Sequence, residues 1–128
     1  MDENQLAWFK LKQRLNGNKR SIFFREGEVW WCALGLNVGS EENGKNTNFE
    51  RPVIILCKFG GNMFLGLPLT SRPRYGRFYY TFRFRSNNST VILSQLRSLS
   101  TKRLMRSMGK VDMKTLTNIK DRAKELLK

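Results

Sequence analysis

The chain has 128 residues, enough for one domain with a modest core. Its hydrophobic fraction of 40% fits a folded globule, and no apolar run approaches the roughly 18 residues that a membrane span requires. With 24 Lys and Arg against 10 Asp and Glu, and no histidine, the net charge is +14 at pH 7, which rules out histidine-based catalysis and points to a polyanionic partner.

The opening "MDENQLAWFK" has no apolar leader segment, so a cytoplasmic protein is expected. Residues 2–15 predict a helix with Leu6, Phe9, Leu11 and Leu15 on one side, ended by "NGN" at 16–18. This divides the chain into a helical extension over 1–18 and a domain over 19–128. "EVWWCAL" (28–34) and "PVIILCKF" (52–59) are β-branched and aromatic, and predict strands, with Pro52 at a tolerated first position. "GGN" at 60–62 turns the chain into "MFLGLPLTS" (63–71), which makes 52–71 a hairpin. Alternation in "RFYYTFRFR" (77–85) puts Phe78, Tyr80, Phe82 and Phe84 on a core face, and Arg77, Tyr79, Thr81, Arg83 and Arg85 on a cationic one.

"SNNS" (86–89) then turns into "TVILSQLR" (90–97), giving at least five strands and a small closed or half-open barrel. Two short helices are expected at the end. "LSTKRLMRSMG" offers Ser100 as N-cap, a Leu99–Leu104 staple and Gly109 as C-cap. Asp112 caps the last helix, with a Val111–Leu116 staple and a buried stripe of Leu116, Ile119, Ala123, Leu126 and Leu127. Cys32 and Cys57 lie in apolar runs and read as buried thiols, and without histidine they make no recognisable zinc site.

The charge is unevenly spread. Residues 51–111 contain no acidic side chain but twelve of the 24 cations, nine of them arginine. Arginine's planar donor fork suits phosphate oxygens and stacks on bases, which favours nucleic acid over an acidic protein as the partner. Arg51 stands where the polar stretch "GSEENGKNTNFE" meets the apolar "PVIIL". As a loop-end cation it would need to be nothing more than charged.

In order and spacing, "GEVWWCALGLNVGSEENGK", "FERPVIIL", "LPLTS" and "ILSQLRSLSTKRLMRSMGKVD" resemble the MazF/PemK family of toxin endoribonucleases of bacterial toxin–antitoxin systems, over about residues 25–125. The resemblance implies a mainly β fold, an SH3-like β-barrel of the CcdB/MazF type. It also implies a homodimer that cleaves single-stranded RNA without a metal or other cofactor and is silenced by an acidic antitoxin protein. It places the family's catalytic arginine on Arg51, its threonine on Thr70, and the acid of its first loop on Glu41, with Glu42 as the rival. Ser71 could do the same hydroxyl chemistry as Thr70. Candidate RNA contacts are Lys45, Ser71, Arg72, Arg83, Arg85 and Gln95, set against a solubilising edge for Arg83 and Arg85 and a barrel-lining or dimer-edge amide for Gln95. Trp30 and Trp31 alternate across their strand, one for the core and the other for a dimer surface or RNA.

RNA cleavage can use the substrate's own 2′-hydroxyl as nucleophile, so the protein need only assist proton transfer and stabilise the charged phosphorane. Arginine is a poor base but a good clamp, and it can donate a proton through its hydrogen bond. Arg51 is therefore assigned to transition-state stabilisation and leaving-group protonation, and Thr70 to a phosphoryl oxygen. The alternatives from other classes are a non-catalytic CcdB-like toxin that inhibits a topoisomerase and a basic nucleic-acid-binding module without strand scission.

Overall fold

The computed structural model describes residues 3–7, 22–34 and 50–128. Residues 3–7 are helical, as expected, while Phe9, Leu11, Leu15, Glu41, Glu42 and Lys45 lie outside the described residues. Among the described residues, seven antiparallel strands form one sheet. They are β1 (Glu28–Ala33), β2 (Glu50–Phe59), β3 (Met63–Thr70), β4 (Tyr79–Phe84), β5 (Asn87–Ile92), β6 (Arg97–Ser100) and β7 (Leu104–Lys110). The sheet runs β4-β5-β3-β2-β1-β7, with β6 also paired to β3.

The sheet is curled but does not close into a barrel. Its two edges, β4 and β7, meet through side chains instead of a hydrogen-bond ladder. Arg85 Nη1 donates to the Met108 carbonyl. The Phe84 ring lies 3.5 Å from where a Cβ of Gly109 would stand.

β2 is central and buried on both faces, which explains its unbroken "VIIL". Ile54 and Leu56 face a cluster with Val29, Leu67, Phe82 and the C-terminal helix. Val53 and Ile55 face a second cluster with Phe24, Phe64, Leu99 and Leu104. Trp30 packs against this second cluster. Cys32 is buried as expected, whereas Cys57 is only half-buried. Among the described residues no helix is long and apolar enough to cross a membrane.

The β2–β3 hairpin forms where "GGN" predicts it, in antiparallel register. Gly66 on β3 has no room for a side chain, because a Cβ there would stand 2.6 Å from Val53 Cγ1 and 3.1 Å from Phe64 Cε2. Gly66→Ala is expected to destabilise the fold by about 1–3 kcal/mol through overpacking, read as a lower urea midpoint at unchanged slope.

Several expectations need correction. The β4–β5 turn is Arg85–Ser86 instead of "SNNS", with φ of 53° and 68° at its two central residues, the signature of a two-residue type I′ hairpin. The stretch 90–97 is not one strand, because a 3-10 turn at Leu93–Gln95 interrupts it. β3 shows why: Leu69 faces Val91 and Gly66 faces Arg97, so three steps along β3 match six along its partner chain, and the turn absorbs the excess.

The first C-terminal helix is absent. Ser100 Oγ does accept from Lys102 N at 3.2 Å, but it caps only a 3-10 turn, Thr101–Arg103. Pairing with β1 then takes over, with Leu104 opposite Cys32 and fully buried. Phe78 is also more exposed than its core-face assignment implies, while Phe82 is buried and Tyr80 and Phe84 pack against the core.

The C-terminal helix (Met113–Glu125) is as expected. The Asp112 carboxylate accepts from Thr115 N at 2.7 Å, and Val111, Leu116 and Ile119 are buried beneath it. Leu127 lies past the helix end and is exposed. The hydrogen bonds from Thr115 hold the Asp112 carboxyl below its ordinary range. A lowered folded pKa stabilises above the ordinary value, and the gain is lost as pH falls through the folded one. Asp112→Ala should therefore melt below the parent at pH 7, and the gap should shrink as pH drops below about 4 in thermal melts.

Candidate active site

A cleft of about 670 Å³ opens where β2 begins and β3 ends. Arg51, Pro52, Thr70 and Ser71 line one side, and Arg85, Asn87 and Asn88 of the β4–β5 hairpin line another. Arg51 is not a loop-end cation. It is the second residue of β2, pairs with Cys32 of β1 and is only 2% exposed. Arginine is seldom so deeply buried without a specific arrangement around it. Its Nη2 donates to the Leu69 carbonyl at 3.0 Å. The register that sets Val53 against Pro68, continued for two residues, brings Arg51 opposite Thr70.

Thr70 closes β3 and is 4% exposed. Its Oγ1 accepts from Arg72 N at 3.2 Å, which orients the hydroxyl where the strand ends. Ser71, more exposed, lines the same cleft, so both hydroxyl-bearing residues of "LTS" belong to its wall. Arg85 also lines it. Arg72 and Arg83 stand on the surface outside the lining, with Arg83 Nη2 held by the Ser86 carbonyl at 3.0 Å. Gln95 is half-buried in the 3-10 turn and does not line the cleft.

Sequence reasoning missed four contributors. Glu50, beside Arg51, is buried in the cleft wall, and its Oε2 accepts from Arg106 Nη1 at 2.7 Å. Arg106 comes from β7, the segment misread as a helix, and its guanidinium lies over the Trp31 ring, 5.1 Å from the centroid. Asn87 and Asn88 fall in the segment read as a turn. The one available signal was the alternation of Trp30 and Trp31: Trp30 goes to the core and Trp31 to the cleft.

Cys32, opposite Arg51, offers no nucleophile. Burial first, and the Glu50 charge second, push its thiol far above the ordinary cysteine range. Among the described residues no three His, Cys, Asp or Glu side chains converge to hold a metal. What the cleft presents is a buried cation, a fixed hydroxyl and a polar amide wall, a set suited to a phosphate flanked by nucleobases.

The sequence profile of the PemK-like, MazF-like toxins of type II toxin–antitoxin systems matches residues 25–127. The chain belongs to this family. MazF from Deinococcus radiodurans superposes on this MazF-like chain with a TM-score of 0.67 at 20% identity, covering 83% of this chain and 97% of that one. A mycobacterial endoribonuclease solved in complex with its cognate antitoxin gives 0.65 at 16% identity, covering 82% and 95%. Mycobacterium tuberculosis toxin MazF-mt6 gives 0.59 at 13%, covering 78% and 95%. At these identities the likeness is one of fold. No curated protein sequence matches the chain.

Proposed function

We propose that this MazF-like toxin is an endoribonuclease that cuts single-stranded RNA through the substrate's own 2′-hydroxyl, with Arg51 and Thr70 at the reacting phosphate. The observation that carries the reading is the burial of Arg51 beside Thr70 in an open cleft, its fork braced on the Leu69 carbonyl.

In this reading the 2′-oxygen attacks phosphorus, the bond from phosphorus to the 5′-oxygen breaks, and a 2′,3′-cyclic phosphate and a 5′-hydroxyl result. Charge builds on the non-bridging oxygens in between, where a preorganised guanidinium gains most. Arg51 stabilises that charge and protonates the leaving 5′-oxygen through its hydrogen bond, and Thr70, with Ser71 as its neighbour, orients a phosphoryl oxygen. Glu41 or Glu42 is assigned to proton transfer from the 2′-hydroxyl. Arg85, Asn87 and Asn88 contact the bases and backbone beside the scissile phosphate, while Lys45, Arg72 and Arg83 contribute charge along the strand.

The same basic surface fits an acidic antitoxin, in keeping with the mycobacterial endoribonuclease and with the MazE–MazF complex of Deinococcus radiodurans. We place the toxin in the cytoplasm as a homodimer. The test is cleavage of single-stranded RNA by purified toxin with and without excess EDTA. Cutting at full rate in the chelator is expected, with cyclic-phosphate ends. Activity abolished by EDTA and restored by magnesium would overturn the mechanism, and RNA bound but never cut would leave a basic binding module.

A further inference from the structure

Arg106 stands at the rim of the cleft in an arrangement that the cutting chemistry does not use. Two cleft-lining residues hold it. Glu50 accepts from its Nη1 at 2.7 Å, and Trp31, its cross-strand neighbour, lies under its guanidinium at 5.1 Å. A carboxylate bond engages the edge of a guanidinium, and the contact with the indole adds a second, independent hold. Pinned in both ways, the group loses the freedom a surface arginine normally has. The Arg106 side chain is nevertheless 57% exposed, while that of Glu50 is 1% exposed. The guanidinium is therefore fixed in place by the carboxylate and the indole while more than half of the side chain stays open to solvent.

Such a pair is a poor device for stability alone, because burying a carboxylate carries a desolvation cost that an apolar pair on β1 and β7 would avoid. It is also a poor phosphate clamp, because Glu50 offsets the charge and occupies part of the donor edge. What it leaves intact is a flat, polarisable, oriented surface, which is what a nucleobase stacks on. We propose that Arg106, held by Glu50 and Trp31, is a shelf on which one base flanking the scissile phosphate stacks. Arg106 is a positioning residue. The inference rests on the reading of the cleft as an RNA-cutting site.

The experiment maps one cleavage site in a short RNA and blocks it with a single 2′-deoxyribose. It then measures binding of that RNA, and of versions with one flanking base removed at a time, to the wild-type toxin and to Arg106→Lys. Lysine keeps a cation for Glu50 but has no face to stack on. One abasic position should weaken wild-type binding about 10-fold. The same removal should have little effect on Arg106→Lys, whose binding to the intact RNA should already be weaker by that factor. The double variant Glu50→Gln, Arg106→Gln removes both charges and should repeat the result without leaving a buried carboxylate unpaired. Equal abasic penalties at every position in all three proteins would overturn the inference alone. A wild-type toxin that cuts no RNA would overturn the underlying reading and the inference with it.

Discussion

Arg51→Lys is expected to fold and to bind RNA, yet to cut it about 10²- to 10³-fold more slowly in single turnover, the usual loss when one preorganised transition-state contact is removed. Charge is conserved, so a role that needs only a cation predicts no change. The braced geometry predicts otherwise. Nη2 is engaged with the Leu69 carbonyl, and the rest of the planar fork sits at a fixed angle to it beside Thr70. A lysine ammonium can reach the carbonyl or the phosphate, but it cannot span both in one plane. RNA affinity, measured on a 2′-deoxy-blocked substrate, should hardly move, because eleven other cations remain between residues 51 and 111. Since the position is buried, the melting temperature belongs in the same experiment. A folded Arg51→Lys that cuts at the parental rate would remove the arginine from the chemistry.

Phe64→Ala carries the largest expected effect on stability, about 3–5 kcal/mol. Phe64 is fully buried in the second cluster, tilted against Phe24 with ring centroids 5.8 Å apart and directly opposite Leu99 of β6. Removing it leaves a cavity between rigid strands, and a loss of that size takes up much of the roughly 5–15 kcal/mol that holds a domain together. Urea unfolding at constant slope is the measurement. A loss below about 1 kcal/mol would mean that the second cluster is a loose surface layer and not a core.

The parts legible in sequence were those with a local cause. Val53 to Leu56 form an apolar run that only a strand buried on both faces needs, and Gly60 to Asn62 turn it back. Asp112 and Leu116 define a helix start by themselves. The segment 99–109 failed because its local signals were real but short-range: Ser100 does cap a turn, yet Leu104 is claimed by Cys32 on a strand more than seventy residues earlier. The same blindness hid half of the site. Arg51 and Thr70 lie within one hairpin, and their spacing carries the resemblance. Glu50 and Arg106 meet across 56 positions, and no local pattern announces that contact.

The residues proposed for cutting and those proposed for base contact fall on parts of the sheet with different tolerance for change. Arg51 is carried by the central strand, with neighbours on either side and apolar clusters on both faces, so most substitutions around it are paid for in stability. Asn87 and Asn88 begin β5 on the exposed side, where substitutions usually cost under about 0.5 kcal/mol. On the proposed assignment, the base contacts can be revised residue by residue while Arg51 stays in place.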